Sequence, residues 1–294
     1  MRISMIGLGQ MGKPMAYNLA KRYPNLLVSD LSELVLSEFS SKGIKTSCEN
    51  REIADCDVLL LCLPNENVVK ATLFGENGLM PFLKSGVIVA DLSTIDYHSV
   101  GEIAGKLTEK GILFMDAPIS GMQKKAEEGT LTVMCGGEES LFTCLHPIFE
   151  CIGTNILLMG PLGSGQLTKA LNNTLFDINA AGVAEIFPLG VKLGLDIEKF
   201  MEVINNSSGK SFASEFFLPR ILNRNFSEGY PMSHAYKDLV SSGELSIRMN
   251  VPLPVTHAAT TTYQMALLEG LGDLDKGAMI QVFERLLKIT CEKK

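Results

Sequence analysis

Residues 3–12 read ISMIGLGQMG, and this stretch decides the fold. Four residues of strand character run into Gly7-Leu8-Gly9-Gln10-Met11-Gly12, a G-x-G-x-x-G, and residues 13–20 have the composition of a helix. In such a turn Gly7 allows the sharp reversal, Gly9 lets the backbone approach a pyrophosphate, and Gly12 lets the helix pack on the strand. The pyrophosphate then meets N–H groups at the positive end of the helix dipole. A second apolar run, 26–29, closes on Asp30, an acid at a suitable distance to take the ribose hydroxyls. The pattern predicts a dinucleotide site built from Gly7, Leu8, Gly9, Gln10, Met11, Gly12 and Asp30.

Outward from this turn, β-rich runs at 26–30, 57–63, 87–91, 112–116, 130–135 and 155–159 alternate with helix-sized segments at 31–42, 67–73, 95–110 and 138–151. The runs 57–63 and 87–91 are apolar on both faces, as parallel strands covered on each side are. The alternation predicts a doubly wound, mostly parallel sheet. After residue 159 the pattern changes. Gly160-Pro161-Leu162-Gly163-Ser164-Gly165 reads as a loop, and 166–193 reads as one long helix whose Ala180, Ala181, Gly182 and Ala184 suit close helix contact. The rest is helical, with breaks at 205–209, 223–230 and 249–254. The expected organisation is an α/β Rossmann domain over 1–162 and an all-α domain over 163–294, joined by the long interdomain helix.

A chain of 294 residues fits two domains and can bury a large core. Its net charge of −7, with no basic stretch interleaved with aromatics, argues against a nucleic-acid partner. The first strand starts at residue 3, leaving no room for a targeting segment. No uninterrupted apolar run approaches the ~20 residues of a membrane span. The seven cysteines are odd in number and form no C-x-x-C pair, which fits a reducing compartment with no disulfide framework and no zinc site. The expectation is a cytoplasmic protein with no membrane partner. The four histidines are scattered and read as structural.

Ligands of open α/β sheets lie beyond the carboxyl ends of the strands. Three such ends carry small or hydroxylated groups: Leu63-Pro64-Asn65, Asp91-Leu92-Ser93-Thr94, and Asp116-Ala117-Pro118-Ile119-Ser120-Gly121. A second cluster opens the long helix, Gly163-Ser164-Gly165-Gln166-Leu167-Thr168-Lys169 through Asn172-Asn173. Lys169 and Asn173 fall on one helix face. A lysine in the first turns of a helix, amid small and apolar neighbours, is favoured as the neutral amine and so suited to proton transfer. The Tyr236-Lys237-Asp238-Leu239 cluster alone reads as a solvated charge pair.

Together these motifs resemble the β-hydroxyacid dehydrogenase family, which includes 3-hydroxyisobutyrate dehydrogenase and tartronate semialdehyde reductase. The resemblance rests on residues 7–16 as cofactor fingerprint, 116–121 continuing to Gly129-Thr130-Leu131 as substrate loop, 163–173 as catalytic motif, and Lys237-Asp238-Leu239; it covers nearly the whole length. It implies that Lys169 is the catalytic lysine, and that Ser120, Gly121 and Asn173 hold the substrate carboxylate and hydroxyl. It places Thr94 and Lys237 near the nicotinamide, and Leu63 and Pro64 beside the adenosine and ribose. It also implies a homodimer or homotetramer. Two departures stand out: Met122 replaces a glycine after Ser120-Gly121, and Lys125-Ala126 replaces a glycine-alanine pair. Met122 is expected to narrow the substrate pocket. Lys125 looks like tartronate semialdehyde reductases, whereas residues 206–211 look like the hydroxyisobutyrate branch.

The expected function is interconversion of a small 3-hydroxy acid, 3-hydroxyisobutyrate-like, and its semialdehyde by hydride transfer to NAD, with NADP less favoured and no metal. Two alternatives remain from sequence. One is a reductase of the same fold acting on tartronate, glyoxylate or succinic semialdehyde or on imines. The other is a non-catalytic NAD(H)-binding module, against which Lys169 weighs.

Overall fold

The computed structural model describes residues 1–293, which fall into two compact units that divide between Lys169 and Ala170. The first carries a nine-stranded sheet. Its strands are β1 (Ile3–Ile6), β2 (Leu27–Ser29), β3 (Lys45–Thr46), β4 (Val58–Leu61), β5 (Ile88–Asp91), β6 (Leu113–Asp116), β7 (Ile119–Ser120), β8 (Leu131–Gly136) and β9 (Gly153–Gly160). The order is β3-β2-β1-β4-β5-β6-β8-β7, with β9 on β8. Strands β1 to β6 are parallel, while β8 runs antiparallel to β6 and β7 and parallel to β9.

The helices of this unit are α1 (Gly12–Arg22), α2 (Glu33–Ser41), α3 (Asn50–Ile53), α4 (Glu66–Phe74), α5 (Tyr97–Thr108), α6 (Met122–Glu128) and α7 (Glu139–Phe149). Alternation along the strands feeds two cores. Met5, Leu60, Ala90 and Met115 lie in register and belong to one cluster with Leu19, Val28 and Phe149. Leu59, Leu61, Val89 and Phe114 belong to the other, with Val69, Val100 and Ile103. Burial on both faces explains the unbroken apolar runs.

The long helix α8 (Ser164–Lys192) starts in the first unit and continues into the second. There follow α9 (Ile197–Asn206), α10 (Phe212–Leu222), α11 (Met232–Met249), α12 (Pro254–Leu268), a short 3-10 turn (Lys276–Met279) and α13 (Ile280–Leu287). The core of the second unit gathers Ala180, Ala181, Ala184 and Phe187 of α8 with Leu218, Leu239 and Tyr263. Among the described residues, α8 is the one helix long and apolar enough by composition to cross a bilayer. Lys169, Asp177 and Glu185 interrupt its apolar sequence. Ala180, Ala181 and Ala184 are used in that core, whereas Gly182 is exposed.

The Rossmann-type unit followed by helices matches the expected fold class. The sequence reading leaves out β3 and β7, each only two residues long, and the antiparallel direction of β8 is not part of it. The units divide within α8, after Lys169, whereas the expected domains meet at 162/163.

Candidate active site

The glycine turn shows three distinct steric environments. Gly7 has φ +94°, and a Cβ there would lie 2.2 Å from the carbonyl oxygen of Cys62. At Gly12 a Cβ would lie 1.9 Å from the carbonyl oxygen of Gly7. At Gly9, by contrast, a Cβ would meet nothing within 4 Å. Gly7 and Gly12 are therefore fixed by packing, whereas Gly9 leaves an open cradle in front of α1. The first turn of α1 receives no side-chain cap, and its N-cap residue is Met11. The starts of α2, α4 and α5 are instead capped by Ser32, Asn65 and Asp96. An uncapped helix start beside open space fits a pyrophosphate.

Asp30 is set by backbone amides on both oxygens: Leu8 N–H donates to Oδ2 at 2.7 Å and Ser32 N–H to Oδ1 at 2.9 Å. It stands at the end of β2 beside the glycine turn, where a ribose would be held. Lys13 forms an ion pair with Glu38, which raises the lysine pKa and lowers that of the glutamate. These residues fit a nicotinamide dinucleotide.

Register aligns the ends of the neighbouring strands. Ile6 pairs with Leu61, Leu61 with Asp91, and Asp91 with Asp116. The segments carrying Gly7–Gly12, Leu63-Pro64, Thr94 and Ser120-Gly121 therefore emerge side by side. Ser120 is half-buried, and Met122 is 36% exposed with φ 63°. Gly121 has φ +144°, and a Cβ there would lie 2.9 Å from Cδ of Lys125.

Side chains outside the predicted set tie these ends together. Asp116 is fully buried and binds the start of α8: Gly163 N–H donates to Oδ1 at 2.7 Å and Gln166 N–H to Oδ2 at 2.8 Å. Burial pushes this carboxyl up, and the backbone amides pull it down. The Gln166 side chain, 1% exposed, donates from Nε2 to Ser93 O at 2.7 Å and accepts from Ile95 N–H at 3.1 Å, bracketing Thr94. Leu63 N–H donates to Ser93 Oγ at 2.8 Å, and Ser93 N–H donates to Asp91 Oδ1 at 2.9 Å. Asp91 is fully buried and its Oδ2 has no partner; burial pushes it up to about 7. The neighbouring thiols Cys62 and Cys135 are pushed up to about 12 by burial and remain protonated. Lys169 follows Gln166 by three residues on α8 and is half-buried.

In the second unit, Asn173 donates from Nδ2 to Asp238 Oδ2 at 2.9 Å, joining α8 to α11. Asp238 is thus held by Asn173 rather than merely solvated, while Lys237 beside it is exposed. Deeper in this unit, Asp177 accepts from Tyr263 Oη at 3.1 Å and forms an ion pair with Lys276, whose ammonium lies 4.2 Å from the Phe176 ring centroid. Burial pushes Asp177 up and the Lys276 ammonium pulls it back. This cluster was not anticipated. Its members lie 86 and 99 residues apart in sequence and no local pattern links them. Asp116 and Gln166 lie inside motifs that the sequence already offered, and their signal was a buried acid at a strand end and an amide in the first helical turn.

Comparison with known proteins covers the whole architecture. Residues 2–160 match the family described as the NAD binding domain of 6-phosphogluconate dehydrogenase. Residues 163–283 match the family described as NAD-binding of NADP-dependent 3-hydroxyisobutyrate dehydrogenase. The 2-(hydroxymethyl)glutarate dehydrogenase of Eubacterium barkeri is 37% identical over 292 residues, covering 98% of this chain and 97% of that protein. The mitochondrial 3-hydroxyisobutyrate dehydrogenase of Mus musculus is 32% identical over 287 residues, covering 95% of this chain and 86% of that protein. The crystal structure of a 3-hydroxyisobutyrate dehydrogenase from Salmonella typhimurium superposes with a TM-score of 0.87 at 26% identity, covering 96% of this chain and 99% of that one.

Proposed function

Because the chain belongs to the β-hydroxyacid dehydrogenase family, and is thus an NAD(P)-dependent 3-hydroxyacid dehydrogenase, we propose that it interconverts a small 3-hydroxyisobutyrate-like acid and its semialdehyde with NAD. The observation that carries this reading is the pairing of an open, uncapped glycine cradle with Lys169 in the second turn of a helix anchored at the same strand ends. The nicotinamide accepts the hydride in oxidation and returns it in reduction. Lys169 takes the hydroxyl proton in oxidation and gives it back in reduction, and its ammonium stabilises the developing alkoxide. Ser120, Gly121 and Asn173 hold the carboxylate and hydroxyl, so that the β-carbon faces the ring. Leu63 and Pro64 flank the ribose, and Thr94 and Lys237 serve the nicotinamide end. The exposed Leu171, Leu175, Ile186 and Leu189 of α8 favour a homodimer or homotetramer.

One observation favours a second reading of the substrate. The Cβ and Cδ of Lys125 pack against Gly121, which puts a lysine next to the loop proposed to hold the carboxylate. An α-substituted 3-hydroxy acid with a second carboxylate would use it, as the name of the Eubacterium barkeri relative suggests. Turnover of a panel decides between them: 3-hydroxyisobutyrate, 2-(hydroxymethyl)glutarate, glycerate, 4-hydroxybutyrate and a cyclic imine, each with NAD and NADP. The first reading expects the highest kcat/KM on 3-hydroxyisobutyrate. Preference for the dicarboxylate supports the second. Turnover of the imine alone would overturn both.

A further inference from the structure

The hydrogen bonds around Gln166 form a continuous line across three strand ends. From Leu63 N–H the line runs to Ser93 Oγ, from Ser93 O to Gln166 Nε2, and from Gln166 N–H to Asp116 Oδ2, with distances of 2.7–2.8 Å. Ile95 N–H closes a second bond onto Gln166 Oε1 at 3.1 Å. Both ends of one buried amide are used, and both oxygens of one buried carboxylate. Two glycines let the parts meet: a Cβ on Gly165 would lie 2.3 Å from Met134 O, and a Cβ on Gly136 would lie 2.5 Å from Asp116 Oδ1. The first turn of α8 is therefore seated directly on β6 and β8.

We infer that Gln166 and Asp116 are positioning residues that fix the helical turn carrying Lys169 against the Ser93-Thr94-Ile95 loop. The inference rests on the reading of Lys169 as the proton-transfer group. A helix held only by apolar packing can slide or rotate by fractions of an ångström. One held by directed bonds to a loop and a strand cannot do so without breaking them. Misplacement by about 1 Å can reduce turnover about 100-fold. Gln166 is 1% exposed and both ends of its amide are engaged by the loop, so its action on the reaction runs through the helical turn that carries Lys169.

The test is Gln166→Met, which keeps the side-chain volume and removes both bonds, measured alone and with Lys169→Ala. The expected result is a kcat loss of about 10- to 100-fold, with NADH affinity within about twofold and a larger primary deuterium isotope effect on kcat. Added to Lys169→Ala, it should lower residual turnover by less than about twofold, since residues acting as one unit are not additive. Asp116→Asn, which keeps one acceptor oxygen, should show the same pattern more weakly and serves if Gln166→Met does not fold. Near-normal kcat in both variants overturns the inference. So does a full further loss on top of Lys169→Ala, or a loss of NADH affinity equal to the loss of turnover. If Lys169→Ala alone retains near-normal turnover, the underlying reading fails; if it is inactive while Gln166→Met is normal, only the positioning role fails.

Discussion

Two glycine-rich turns open two helices in the first unit, and they treat the helix start in opposite ways. The turn Gly7–Gly12 leaves α1 without a side-chain cap and leaves open space at Gly9. The turn Gly160–Gly165 delivers α8 onto Asp116, whose carboxylate takes the amides of Gly163 and Gln166. Both turns need glycine for close approach to a strand. Only the first keeps its positive end available for an external anion. In the second that end is answered by the protein's own carboxylate, and the helix carries Lys169 instead.

The contrast is broken most sharply by adding side chains. Gly9→Asp places a carboxylate in an open cradle. It should weaken NADH binding by more than about 100-fold through like-charge repulsion, with the unfolding midpoint nearly unchanged. Gly165→Ala does the reverse, because its Cβ meets backbone that cannot yield. It should lower stability by about 2–3 kcal/mol, measured by urea unfolding. Equal effects of both substitutions on binding would erase the distinction between the two turns.

A smaller effect sharpens the first turn. A 2′-phosphate at the ribose would face the Asp30 carboxylate, and Lys13 is already paired with Glu38. NAD should therefore exceed NADP in kcat/KM by at least about tenfold, and Asp30→Ser should narrow the gap. An NADP preference would contradict the assignment of Asp30.

The smallest expected effect concerns Asp91, at the end of β5, which accepts from Ser93 N–H. Its carboxyl is raised from 3.8 to about 7 in the folded protein by burial. The folded state then binds this proton more tightly than the unfolded one. The contribution is fully present below about pH 4 and is lost as pH rises through about 7. The Tm should fall by a few degrees from pH 6 to pH 8, and Asp91→Asn should flatten that slope. An unchanged slope in the variant would mean that Asp91 is ionised throughout.

Much of this was legible from residues alone. The alternation of apolar runs found β1, β4, β5 and β6 to within a residue or two, because strands buried on both faces leave no polar interruption. The glycine turn and Lys169 could be singled out as candidates because the patterns that mark them are local: glycines at fixed offsets, and a lysine early in a helix. The two-residue strands β3 and β7 carry no periodicity to detect. Asp116 could be seen as a strand end but not as the acceptor for a helix 47 and 50 residues later. The Asp177–Tyr263–Lys276 cluster depends entirely on how α8, α12 and the 3-10 turn pack, which no short pattern encodes.

The proton-transfer role of Lys169 is tested by Lys169→Ala, with NADH titrated by fluorescence beside steady-state turnover on the best substrate of the panel. The expected result is a kcat loss of about 100- to 10,000-fold, NADH affinity within about twofold, and no rescue by Lys169→Arg, whose guanidinium cannot accept the proton. Near-normal turnover of a folded Lys169→Ala variant would contradict it.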